Sequence, residues 1–125
     1  MSDTTPDKPV EKVFTDAEVA EELKKLPGWE LKDGWIRRKY KTGGWPMTLM
    51  AVNAVGFLAE AAFHHPDLAV SWAEVTVKLK THSAGGITAK DFELAARIDA
   101  ALTWAPPEGS ALEGYEKGMK KKWVR

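Results

Sequence analysis

Between Thr15 and Trp104 the chain is cut at five points by residues that regular structure tolerates poorly: Pro27-Gly28, Asp33-Gly34, Gly43-Gly44, Pro66 and Gly85-Gly86. The segments between these breaks are short, and their hydrophobic period changes from one to the next. That alternation restricts the chain to a small mixture of helices and strands packed around one core. Thr15 is a good N-cap, and Glu18 three residues later completes a capping box. Val19, Leu23 and Leu26 then follow helical spacing until Pro27-Gly28. Residues 29–32 and 35–40 read as strands joined by Asp33-Gly34, a pair that favours a tight hairpin turn.

A long helix is expected over residues 46–63, with Pro46 in its first turn, where a missing N–H costs no helical bond. Its apolar residues Leu49, Val52, Val55, Leu58, Ala59 and Phe63 cover much of the circumference, so it is expected to bury more than one face. Pro66 disfavours the helical region for His65 and ends the helix near His64. Beyond it the period becomes two. Val75, Val77 and Leu79 alternate with Glu74, Thr76, Lys78 and Lys80, the pattern of a half-buried antiparallel strand with a partner near residues 68–72. Thr88 with Asp91 opens a last helix carrying Phe92, Leu94, Ala95, Ile98 and Leu102. The order α-β-β-α-β-β-α predicts a two-layer α+β domain, a four-stranded antiparallel sheet with helices on one face. Residues 1–14 read as a flexible arm, 15–103 as the domain and 104–125 as a tail.

Composition narrows the chemistry. The 125 residues hold 18 Lys plus Arg and 18 Asp plus Glu, a net charge of zero that argues against a dedicated nucleic-acid binder. With no cysteine there is no disulfide, thiolate metal site or cysteine nucleophile. No apolar run reaches membrane-spanning length and the start, MSDTTPDKPVEK, has no secretory character, so the expected compartment is the cytoplasm, without membrane attachment. No P-loop, GxGxxG or GxSxG pattern occurs.

The three histidines all fall between residues 64 and 82. Glu60 and His64 are four apart and share a helical face, where the carboxylate can accept a hydrogen bond from the imidazole; the plain alternative is a surface pair without function. His65 is turned elsewhere by Pro66. A metal site competes for these imidazoles, but three histidines and a distant glutamate match no familiar ligand spacing. His82 is in phase with the polar face of its strand, where that strand meets a Gly-Gly loop, a common place for functional side chains. Among six tryptophans most are expected in the core, with Trp29 and Trp72 as candidates to wall a flat slot. Asp91 reads as a capping residue with a structural role. Lys120-Lys121-Lys122 with Trp123 reads as a solvated tail, the alternative being contact with an acidic surface.

Glu60, His64-His65-Pro66, Trp72, His82 and Asp91, in that order and spacing, resemble the signature of the pterin-4a-carbinolamine dehydratase family. Leu26-Pro27-Gly28-Trp29, Leu58-Ala59-Glu60 and the stretches Lys80-Thr81-His82 and Gly86-Ile87-Thr88 resemble it too, so that the likeness covers residues 15–103. It implies a hydro-lyase that dehydrates 4a-hydroxytetrahydropterin to quinonoid dihydropterin in tetrahydrobiopterin recycling, with no metal or organic cofactor and the pterin as substrate. It implies homodimers or homotetramers. By the same resemblance His64 and His82 are acid–base candidates, His65 binds and orients substrate, and Glu60 holds and polarises the site. Phe63, Pro66, Thr81, Ser83, Trp29 and Trp72 would border the pterin. The rival reading is a non-catalytic binding module, since relatives of this fold act as a dimerisation cofactor of a homeodomain transcription factor or as assembly factors for carbon-fixing enzymes. The run Tyr40-Lys41-Thr42-Gly43-Gly44-Trp45 departs from the aromatic alternation of the family, and the tail lies outside the resemblance.

Overall fold

The computed structural model describes residues 11–113 and 123–125. The expectations for residues 1–10 and for Lys120-Lys121-Lys122 fall outside the described residues. Helix α1, Asp16–Leu23, starts at the capping box of Thr15 and Glu18, whose side chains each bond the other's backbone N–H. Strands β1, Glu30–Lys32, and β2, Trp35–Lys41, form a hairpin in which Asp33 and Gly34 both take positive φ, as its two-residue turn requires. Helix α2 is Trp45–Ala62, β3 is Asp67–Ser71, β4 is Glu74–Leu79, and α3 is Ala89–Leu102. A 3₁₀ turn, His82–Ala84, stands between β4 and α3.

The sheet has the order β1-β2-β4-β3, antiparallel throughout, with Ile36 opposite Leu79 and Leu68 opposite Val77. Alternation decides which side chains go inward. Ile36, Tyr40, Val75, Val77 and Leu79 are fully buried beneath the helices, with Val19, Ala51, Val55, Ala95 and Ile98 packed into the same core. Trp35, Arg37, Lys39 and Lys41 of β2 and Glu74, Thr76 and Lys78 of β4 occupy the other, open face. Helix α2 packs on β3, β4 and α3, and α1 on β1.

Two ends of the described chain extend the packing beyond the expected boundaries. Before α1, the Phe14 N–H bonds Ile87 O at 2.8 Å, and its ring meets Phe92 edge-on. The packed chain therefore begins before Thr15. At the other end Val124 is buried in the core, and Arg125 exchanges backbone hydrogen bonds with Lys41. Strand β1 covers only residues 35–37 of β2, and the last residues of the chain take the part of that edge left open.

Candidate functional site

Helix α2 ends on Phe63, whose φ of 48° lies in the left-handed region, and the His64 N–H returns to Ala59 O at 3.0 Å. This closure commonly uses glycine. With phenylalanine it holds a strained residue, 80% exposed, immediately before the histidines. The reversal of backbone hand also breaks the helical phase. The expected Glu60–His64 pair therefore does not form. Instead His65 Nε2 lies 2.8 Å from Glu60 Oε1, and His64 turns inward to Asp91.

The Asp91 side chain is completely buried at the start of α3. Its Oδ2 accepts from the Thr81 hydroxyl at 2.7 Å and from the Thr88 N–H at 2.9 Å, and its Oδ1 lies 2.7 Å from His64 Nε2. Asp91 thus does more than cap α3: it ties together the ends of α2, β4 and α3. A carboxylate used as acceptor on both oxygens takes the hydrogen of Nε2, leaving Nδ1 as the free nitrogen of His64. The His64 side chain is 12% exposed, so this pair is held away from most solvent, whereas the Glu60–His65 pair is open to it.

His82 follows Thr81 directly. The loop that carries it is closed by the Thr81 N–H on Gly86 O at 2.9 Å and by Gly85 at φ 75°. His82 and Ser83 are exposed, as the polar phase of His82 requires, while Thr81 is buried and bonds Thr88 as well as Asp91. Because β3 and β4 are antiparallel, the start of β3, just after His65 and Pro66, lies beside the end of β4: Asp67 is opposite Lys78. Glu60, Phe63, His64, His65, Pro66, Thr81, His82, Ser83 and Asp91 therefore gather at one end of the sheet.

The two tryptophans expected as walls do not join them. Trp29 is 6% exposed, a core residue whose indole N–H bonds Asp99 at 3.1 Å. Trp72 is exposed at the β3–β4 turn, at the far end of β4, which at ~3.3 Å per residue is roughly 16 Å long. The aromatic neighbour of His82 is Trp35, with ring centroids 5.3 Å apart and planes at 75°. Sequence reasoning did not select Trp35, although its position after Asp33-Gly34 and its outward phase could have singled it out.

A groove of about 490 Å³ runs between α2 and α3, lined by Phe57, Leu58, Ala61, Ala62, Leu94 and His64, with Lys90, Glu93 and Arg97 on its rim. Among the described residues no three or more of His, Asp and Glu cluster as a metal ion would need. No described helix is long and apolar enough to cross a membrane.

Fold and site together define a small α+β protein with buried and exposed histidine–carboxylate pairs at one sheet end. Residues 12–101 match the family model described as "Pterin 4 alpha carbinolamine dehydratase". A protein of Aquifex aeolicus named for pterin-4-alpha-carbinolamine dehydratase is 49% identical over 86 residues, 69% of this chain and 87% of that relative. One of Roseiflexus castenholzii, named likewise, is 47% identical over 87 residues, covering 70% and 94%. A crystal structure of a transcriptional coactivator/pterin dehydratase from Brucella melitensis superposes with a TM-score of 0.67 at 30% identity, covering 71% of this chain and 97% of that one. The chain belongs to the pterin 4 alpha carbinolamine dehydratase family.

Proposed function

We propose that this protein is a hydro-lyase that converts 4a-hydroxytetrahydropterin to quinonoid dihydropterin by histidine acid–base catalysis, as part of tetrahydrobiopterin recycling. The observation that carries the reading is the convergence of the buried Asp91–His64 pair with His65 and His82 at one sheet end. In the reaction a general acid protonates the 4a oxygen and the C–O bond breaks. The lone pair of the adjacent ring nitrogen forms the C=N bond, that nitrogen's proton passes to a base, and water leaves without redox change. Imidazoles titrating near neutrality suit both proton transfers, each worth about 10²–10⁴-fold.

His64 and His82 are the acid–base pair in this reading. Asp91 orients His64, and His65, polarised by Glu60, binds the pterin. Phe63, Pro66, Thr81 and Ser83 border the ring, and Trp29, being buried, has no part in it. The chemistry asks for no resident metal or organic cofactor, and the expected setting is the cytoplasm. A second copy of the chain is expected on the outer face of α2, where Met50 and Phe57 are 60% and 73% exposed. The alternative, a non-catalytic binding module, draws on the coactivator role named for the Brucella protein. Stopped-flow absorbance of freshly generated 4a-hydroxytetrahydropterin tests the choice. Acceleration over spontaneous dehydration that falls about 10²-fold or more in His64→Ala and His82→Ala is expected; a folded parent protein with no acceleration leaves only the binding module.

A further inference from the structure

The open face of the sheet carries an unusual concentration of cations beside His82. Lys78 Nζ and Lys80 Nζ lie 5.2 and 5.8 Å from the centroid of the Trp35 ring, which itself abuts His82. Arg37 stands directly opposite Lys78 on the neighbouring strand, a like-charge pairing that disfavours the sheet unless an anion offsets it. The acidic residues next in register, Glu30 beside Arg37 and Asp67 beside Lys78, form no ion pair with these cations among the described residues. Arg37 donates through Nη2 to Lys32 O at 3.2 Å, while its Nε is buried with no hydrogen-bond partner there. In a chain of zero net charge this is a local excess, set against an aromatic ring that touches the exposed imidazole.

We propose that Trp35, Lys78 and Lys80 form a subsite for an anionic group on the side chain of the pterin. The proposal rests on the dehydratase reading and extends its substrate range: beside the neutral side chain of tetrahydrobiopterin, the site takes, and binds more tightly, a pterin whose side chain ends in a phosphate ester or a carboxylate. With the pterin ring among the histidines, a side chain leaving it past His82 runs along the Trp35 face, and its terminal anion meets the two ammonium groups. Lysine ammonium groups bind such anions as point charges, without the fixed fork of arginine, and so accept either chemistry.

Isothermal titration calorimetry on the full chain, kept reducing and anaerobic, tests the subsite. The probes are a 7,8-dihydropterin with a neutral polyol side chain, its terminal phosphate ester and the corresponding terminal carboxylate. The parent protein is expected to bind one or both anionic probes about tenfold more tightly than the neutral one, the order distinguishing phosphate from carboxylate. Raising salt from about 0.02 M to about 0.5 M shrinks that preference. In Lys78→Ala/Lys80→Ala the affinity ratio falls to about one. The control Lys39→Ala/Lys41→Ala removes the same charge elsewhere on the same face and keeps the preference. Circular dichroism verifies the fold, and Lys78→Gln/Lys80→Gln replaces the alanine pair if that pair unfolds. Equal binding of all three probes by the parent protein, or a preference that survives loss of Lys78 and Lys80, overturns the subsite. If the neutral probe binds and dehydration is accelerated, only the subsite has failed; if no probe binds and no acceleration is seen, the dehydratase reading has failed with it.

Discussion

Asp91 carries more of the site than any other single residue, because a buried carboxylate must have all its acceptor capacity answered. Thr81, Thr88 and His64 answer it, and the consequence for His64 is a fixed tautomer. Asp91→Asn tests this with little change of shape. An amide can keep its oxygen on the Thr88 N–H, but its NH₂ then faces His64 Nε2 and needs that nitrogen to accept. The tautomer inverts, and Nδ1 gains the hydrogen. The expected result is a dehydration rate lower by about 10²-fold or more, a folded protein, and a histidine nitrogen spectrum in which His64 exchanges its protonated position. An unchanged spectrum and rate would show that Asp91 serves packing alone. This pair also marks where reading by spacing stops. The i, i+4 rule coupled Glu60 to His64, but it holds only while the helix continues, and Phe63 at positive φ moves each histidine on to a different carboxylate.

At the scale of elements, a second carboxylate network, part-buried, joins β2, α3 and the loop before β1. Asp99 accepts from Trp29 Nε1, from Arg38 at 2.8 Å and from the Tyr40 hydroxyl. Burial first, and then the Asp99 carboxylate, push the Tyr40 phenol well above its ordinary value of 10.0. In the unfolded chain that phenol ionises near pH 10, while the fold keeps it neutral. Its contribution to stability is therefore complete below about pH 10 and is lost as the pH rises beyond that toward the folded value. Urea denaturation across alkaline pH should show the parent protein losing its advantage over Tyr40→Phe above about pH 10; two parallel declines would remove Tyr40 as the cause. The elements themselves were legible where their periods ran long enough. The alternation from Val75 to Leu79 and the caps at Thr15 and Thr88 identify β4, α1 and α3. The return of Val124 and Arg125 to the open edge of β2 was not legible, since three residues carry no period. Nor was the burial of Trp29, since its partner Asp99 is 70 positions away.

For the molecule as a whole, the outer side of α2 is an apolar surface left open among the described residues. Its inner side is settled: Thr48, Ala51, Val55 and Ala59 recur at helical spacing and are buried. The opposite side leaves Met50 and Phe57 60% and 73% exposed, Trp45 and Leu49 are exposed on its flank, and the α2–α3 groove lined by Phe57, Leu58 and Leu94 continues that apolar surface. Apolar area this concentrated on one helix, whose one charged residue is Glu60, suits association better than solvation. A second copy meeting it across a twofold axis would bring α2 against α2 and cover each Phe57. Light scattering coupled to gel filtration should accordingly report a multiple of the 13.8 kDa chain. Phe57→Glu, which places a carboxylate in the middle of the contact and alters nothing in the core, should give the monomer with its circular dichroism intact. A monomeric parent protein would mean that this face is kept for a different partner. A parent oligomer that Phe57→Glu leaves assembled would place the contact elsewhere. The histidine cluster bears on the outcome, because His64 lines the same groove; separation of the copies is expected to open that groove to solvent and lower the dehydration rate along with the mass.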